Sequence, residues 1–216
     1  MEIKTFTFNP FQTNCYVCFD GVEAVIIDPS SAGDSEHRAV IDFIDSSSLV
    51  VKHVLLTHAH LDHIFGLAHM CAHFNVPYLM HREDLLLIKG AGEQARLFGV
   101  EIDAPADPGD FVDEESVVTV GEATLSILHT PGHSPGSITF VTSEGDAAIS
   151  GDVLFAGSIG RTDLWQGSLP VLMRSIFDKL APLGGDTRVH PGHGPSTSIG
   201  QEMKHNPFLT GSFELG

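Results

Sequence analysis

The stretch from His53 to His63 constrains this chain more than any other: His53-Val54-Leu55-Leu56-Thr57-His58-Ala59-His60-Leu61-Asp62-His63. Residues 53–57 are short, apolar and partly β-branched, which predicts a buried strand. Four metal-ligating residues then fall within six positions: His58, His60, Asp62 and His63. Imidazoles and carboxylates are donors for borderline-soft divalent metals. In a helix, residues 58 and 60 would lie about 200° apart, and the i, i+4 histidine pair of a helical zinc protease is absent. In an extended segment residues 58 and 60 point the same way, and a turn must then swing 62 and 63 inward. The string therefore reads as a metal-binding loop at a strand end, a common address for active sites in α/β proteins.

Composition narrows the partners. Eleven basic residues against 28 acidic ones give a formal charge of −17. So few cations disfavour nucleic acid, whose affinity rests on phosphate contacts. At 216 residues the chain reads as one domain over 1–216 with an ample core. The N-terminus lacks a signal pattern and no run approaches the ~18 apolar residues of a membrane helix, so no membrane partner is expected. Three cysteines, an odd number, fit a reducing compartment, and the expected location is cytoplasmic. Cys15 and Cys18 form a CxxC within a predicted strand, where residues i and i+3 face opposite sides; strand packing accounts for them better than a shared metal does.

Strand-like and helix-like segments alternate. Strands are predicted over 3–8, 15–19, 22–27, 53–57 and 76–80, and helices over 35–45, 66–74 and 82–89. The loop 104–110, rich in Pro and Asp, is the seam of the chain. Beyond it strands are predicted over 116–120, 123–129, 137–142, 146–150 and 187–190, with a helix over 169–181. Two β-rich runs with interspersed helices suggest two packed sheets with helices outside.

Three of the later strands run into further candidate ligands. Strand 123–129 leads to Thr130-Pro131-Gly132-His133, strand 146–150 to Gly151-Asp152, and strand 187–190 to Pro191-Gly192-His193-Gly194. Glycine lets the backbone turn sharply and approach a site closely. With the first string the set is seven: His58, His60, Asp62, His63, His133, Asp152 and His193. Seven ligands exceed one tetrahedral zinc and suit two metals sharing a carboxylate. Two divalent ions facing two carboxylates and a hydroxide stay net positive, electrophilic enough to polarise a carbonyl and keep a water deprotonated near neutral pH. Hydrolysis of an acyl or related bond follows, and no G-x-S-x-G elbow competes with it. A closed structural site would need only four ligands, often thiolates. His69 and His73 are i, i+4 on a helix and read as surface or packing residues, while His129 and His190 precede motif turns and could hydrogen-bond to ligands.

These motifs, in this order, resemble the metallo-β-lactamase superfamily, and the resemblance extends to Thr13-Asn14-Cys15-Tyr16 and Val25-Ile26-Ile27-Asp28-Pro29. It implies an α/β (α+β) fold: a four-layer αββα sandwich of two mixed β-sheets, helices on the outer faces, with the site at the sheet edges. It assigns one metal to His58, His60 and His133, a second to Asp62, His63 and His193, and the bridge to Asp152. The expected cofactors are two divalent metal ions, zinc first, with iron or manganese also compatible. Oligomeric state is left open.

Within the superfamily the segment Gly151-Asp152-Val153-Leu154-Phe155-Ala156-Gly157-Ser158-Ile159-Gly160-Arg161-Thr162-Asp163 is similar to short glyoxalase II-like hydrolases. That likeness implies hydrolysis of a small-molecule thioester, an S-2-hydroxyacylglutathione such as S-lactoylglutathione, by a metal-bridging hydroxide. Asp62 would ligate a metal and steer the water proton. Arg161 would contact the thiol arm, or else form a structural pair with Asp163. Residues 194–216 are too few to supply the C-terminal helical domain that contacts glutathione in full-length glyoxalase II, so the reaction is better supported than the thiol. The alternative is a mononuclear-iron glutathione persulfide dioxygenase, whose two-His, one-Asp iron would match His58, His133 and Asp152.

Overall fold

A computed structural model describes residues 1–211; the last five positions of the expected 1–216 domain lie outside the described residues. The first sheet contains β1 (Glu2–Phe8), β2 (Thr13–Asp20), β3 (Glu23–Ile27), β4 (Val50–Leu55), β5 (Tyr78–Met80) and β6 (Asp110–Phe111), in that spatial order. Its first two pairings are antiparallel and the other three parallel. Parallel neighbours need crossovers. These are α1 (Asp34–Ser46), α2 (Leu67–Phe74), and the pair α3 (Leu85–Lys89) and α4 (Ala91–Phe98).

The second sheet is built from β7 (Val117–Val120), β8 (Ala123–His129), β9 (Ile138–Thr142), β10 (Ala147–Gly151), β13 (Arg188–Pro191) and β14 (Thr197–Ser198). Its order is β14-β13-β10-β9-β8-β7, and only β10 and β13 pair in parallel. A small hairpin, β11 (Leu154–Phe155) with β12 (Ser158–Ile159), follows β10. α5 (Leu169–Arg174) continues into a wider turn through Leu180, and α6 (Ile199–His205) follows β14.

Three apolar clusters separate four layers, the αββα sandwich that the resemblance implies. Between the sheets, Tyr16, Val25, Ile27 and Leu55 meet Val118, Leu125, Ile127 and Phe140. On the outer face of the first sheet, Val17, Ile26 and Val54 pack against Val40 and Ile44 of α1 and Met70 of α2. On the outer face of the second, Val189 packs with Leu172 of α5, with Ile176 and Leu180 just beyond it, and with Ile199 of α6. Strand periodicity places Cys15 in the outer cluster and Cys18 in the inner one, so the CxxC does pack on opposite faces.

The expected seam at 104–110 instead leads from α4 into β6, the last strand of the first sheet, and the chain crosses to β7 of the second sheet over residues 112–116. Several details differ from the sequence reading, among them the two-residue strands β6, β11 and β12. β4 starts and ends earlier than 53–57, although Leu56 N still donates to Leu79 O. α4 was not expected, because Ala91–Phe98 is flanked by glycine and its core-facing stripe is only two alanines, Ala91 and Ala95. β14 and α6 were not expected either, because two strand residues carry no legible alternation. No helix among the described residues is long and apolar enough to cross a membrane.

Candidate metal centre

The metal-ligating string leaves β4, keeps extended backbone through His60 (φ −69°, ψ 151°), and closes in a single 3-10 turn, Leu61–His63. That turn brings Asp62 and His63 to the same end of the sandwich as His58 and His60. The loops after β8, β10 and β13 bring His133, Asp152 and His193 to meet them. All seven expected residues converge.

They form two clusters. His60 Nδ1 and His58 Nε2 lie 2.8 Å and 3.2 Å from His133 Nε2. Asp62 Oδ2 lies 3.2 Å from His193 Nε2 and 3.6 Å from His63 Nε2. Asp152 stands between the two: Oδ2 is 3.5 Å from both His133 Nε2 and His193 Nε2, and Oδ1 is 3.4 Å from His63 Nε2.

Whether this arrangement fits metal ions is decided by where the imidazole protons go. A carbonyl or carboxylate can only accept, so a ring nitrogen bonded to one carries the proton. His133 Nδ1 donates to Arg161 O at 2.8 Å, His193 Nδ1 to Phe11 O at 3.1 Å, and His63 Nδ1 to Asp28 Oδ2 at 2.9 Å. Thr57 Oγ1 donates to Asp28 Oδ2 at 2.6 Å, so His58 Nδ1 donates to Thr57 Oγ1 at 3.1 Å. Each of these four rings aims its lone pair inward. Buried His63 Nε2 and Asp152 Oδ1 have no hydrogen-bond partner. Converging lone pairs and orphaned buried atoms are unfavourable without a cation, and the donor set fits divalent metal ions.

The electrostatics agree. Burial pushes His58 well below the usual histidine range and His60 down to about 3, leaving both neutral, the ligating form. Burial also opposes charge on His63 and His193. There the facing carboxylates outweigh it: Asp62, Asp152 and Asp28 raise His63, and Asp152 and Asp62 raise His193 to about 10. Carboxylates that draw a proton to these rings will equally draw a cation.

Supporting groups emerge to which the sequence reading assigned no role at the site. Asp28 ties Thr57 and His63 together; its Oδ1 also accepts from Thr57 N at 2.7 Å. Asp84, fully buried, accepts from Ala59 N (2.9 Å), Ser134 Oγ (2.8 Å) and Gly136 N (2.6 Å), and so pins the His58–His60 loop to the His133 loop. Thr13 Oγ1 donates to Asp62 Oδ2 at 2.8 Å. The available signal was an aspartate at or just past each of two strands parallel to β4, too common a pattern to stand out. His129 braces the His133 loop through its contact with Pro135 O at 2.9 Å and stacks on His81. His69 stacks between His37 and His73, away from the centre.

Arg161 forms the pair with Asp163. Its Nε and Nη2 donate to Asp163 Oδ1 and Oδ2 at 2.8 Å and 2.7 Å, on an exposed surface. It also borders the same cavity, about 670 Å³, as Asp62, Asp152 and His193.

Fold and site together define a metallo-hydrolase superfamily. The chain belongs to the metallo-β-lactamase superfamily, whose family profile matches residues 8–197. Its relatives include the hydroxyacylglutathione hydrolase GloC of Haemophilus influenzae, 40% identical over 97% of this chain and 98% of that protein. Similar solved structures include the BLEG-1 B3 metallo-β-lactamase (TM-score 0.88, 40% identity, 97% of this chain and 100% of that one). TTHA1623, solved in a di-iron-bound form, has a TM-score of 0.85 and 38% identity, with 95% of this chain and 100% of that one covered.

Proposed function

We propose that this protein is a binuclear metallohydrolase that cleaves thioesters of the S-2-hydroxyacylglutathione type. The observation that carries this reading is the position of Asp152, one carboxylate within 3.5 Å of His133, His193 and His63. In this reading His58, His60 and His133 hold one divalent ion, Asp62, His63 and His193 hold the other, and Asp152 is shared. The likeness to GloC supports the thioester. The all-nitrogen and oxygen donor set suits zinc, and also iron or manganese.

When bound, the ions supply Lewis acidity toward a carbonyl oxygen and a lowered pKa for water. The chain supplies orientation. Asp28 keeps the proton on Nδ1 of His63, and the carbonyls of Arg161 and Phe11 do the same for His133 and His193. The Thr13 hydroxyl fixes Asp62, so that its carboxylate can steer a water proton within the cluster. A thiolate leaves without a strong general acid, so none is required of the chain. Asp163 occupies only two donors of the Arg161 guanidinium. The remaining N–H groups can meet a peptide carbonyl or carboxylate of the thiol arm.

Elemental analysis paired with S-lactoylglutathione turnover tests this. Two metal ions per chain are expected, with hydrolysis lost on chelation and restored by metal. Hydrolysis indifferent to chelation overturns the reading. One iron per chain with oxygen uptake on glutathione persulfide reassigns the protein as a persulfide dioxygenase.

A further inference from the structure

The described residues leave nine large apolar side chains exposed, and five of them border the cavity over the metal centre: Phe11, Leu86, Leu97, Phe98 and Trp165. Leu97, at the end of α4, is 85% exposed. Exposed apolar groups scattered singly need no explanation; a concentration at one site does. Phe11 and Phe98 meet edge to face, ring centroids 6.3 Å apart, and Leu164 lines the cavity beside Trp165. The floor is polar, formed by the metal-ligating residues; the walls are mostly apolar, with Glu93, Gln94 and Arg161 among them.

We propose that the site selects thioesters carrying a bulky apolar arm, aryl or branched alkyl, seated on the wall that α3, α4 and residues 164–165 raise over the metal centre. The charges favour a neutral arm there. Of the residues bordering the cavity Arg161 is the sole Lys or Arg, and it is already paired with Asp163, while Glu93 adds negative charge to the wall. A methyl-sized acyl group leaves most of this surface in water, whereas a phenyl ring can bury more of it. The cavity volume matches a small molecule. Because its floor is the reaction centre, a protein seated on the wall would block the chemistry rather than serve it.

The inference rests on the thioester reading, and the test separates the two. S-mandeloylglutathione and S-lactoylglutathione share the thiol, the reacting carbonyl and the 2-hydroxyl, and differ by phenyl against methyl. The expected kcat/KM favours S-mandeloylglutathione by about tenfold or more. Trp165, the single tryptophan of the chain, gives a readout independent of turnover. Its emission should report S-benzylglutathione, a thioether that cannot be hydrolysed, binding about tenfold more tightly than S-methylglutathione. In a Leu97→Ser/Phe98→Ser variant both ratios should fall toward one. Val22→Ser, which removes an equally exposed side chain away from the cavity, should leave them unchanged. Ratios near or below one in the unmodified protein overturn the inference and leave the hydrolase reading standing. If neither thioester turns over, the hydrolase reading fails and the thioether titration decides alone: tighter benzyl binding supports the apolar wall, equal affinity or no response overturns it. A concentration-dependent dimer dissolved by Leu97→Ser/Phe98→Ser overturns it in favour of self-association.

Discussion

Asp28 occupies left-handed backbone (φ 51°), a conformation that aspartate tolerates better than most residues. There its two oxygens reach Thr57 N, Thr57 Oγ1 and His63 Nδ1 together. In Asp28→Asn one oxygen becomes an amide NH2 that must face a donor in either orientation. The inward lone pair of His63 loses its anchor, and the cluster of Asp62, His63 and His193 should bind metal 10–100-fold more weakly, roughly the usual effect of losing such a partner. Chelator competition would show it as metal lost at a lower chelator concentration than from the unmodified protein. His190 carries a pH effect of its own. It packs edge-on against Tyr16, and its Nδ1 is 3.2 Å from Ser196 Oγ. Burial, then the charge of Arg188, lowers its pKa from 6.5 to about 4, against a small opposing effect of Asp146. The unfolded chain therefore takes up this proton first. The stabilisation is complete above pH 6.5 and lost as pH falls from 6.5 through 4, amounting to at most about 3 kcal/mol. Urea unfolding across that window should lose stability less steeply in His190→Gln than in the unmodified protein.

Each loop that delivers a metal-ligating residue is held by a neighbouring element. Gly132, three residues after the end of β8, has φ 129°, and a Cβ there would strike the backbone of Leu172 in α5. Ser168 N donates to Gly132 O at 2.7 Å, and Ser175 Oγ donates to Pro131 O at 2.7 Å. Gly132→Ala should therefore push α5 from the His133 turn, costing about 2–4 kcal/mol in thermal or urea unfolding and lowering metal content with it. A turn of this kind is legible in sequence, because an apolar strand, a Pro-Gly pair and a histidine are adjacent in the chain. The Pro-Gly-His run recurs after β13, and a looser signal, a strand run followed closely by a metal-ligating residue, marked the ends of β4 and β10, so all seven metal-ligating candidates could be read from the chain. α4 could not, since the stripe it buries is only two small residues, Ala91 and Ala95, while its large apolar residues Leu97 and Phe98 border a cavity rather than a core. Asp84 could not either: its partners Ala59 and Gly136 lie 25 and 52 residues away in sequence, a convergence that only the packed sheets create.

At the scale of the molecule, the centre closes one end of both sheets and ties them together. Asn14 N of the first sheet donates to Gly192 O, Tyr16 Oη donates to Pro191 O at 2.6 Å, and Ile138 N of the second sheet donates to Thr57 O. These bonds span the sandwich beside a cluster in which Asp28, Asp62 and Asp152 face one another through histidines. With the ions bound, this charge is balanced and the two sheets share a common anchor. With the ions removed, protons on His63 and His193 offset the three carboxylates only in part, and the bonds between the sheets lose the common anchor. Ligands that bind the folded chain alone stabilise it by mass action, about 4 kcal/mol at a thousandfold excess over Kd. For a chain of this size each kcal/mol moves the midpoint by roughly 2–4 °C. Calorimetry before and after exhaustive chelation should therefore show the melting temperature fall by about 8–16 °C, and restored metal should bring it back. A melting temperature unmoved by chelation would mean that the clustered histidines and aspartates stabilise the sandwich without ions.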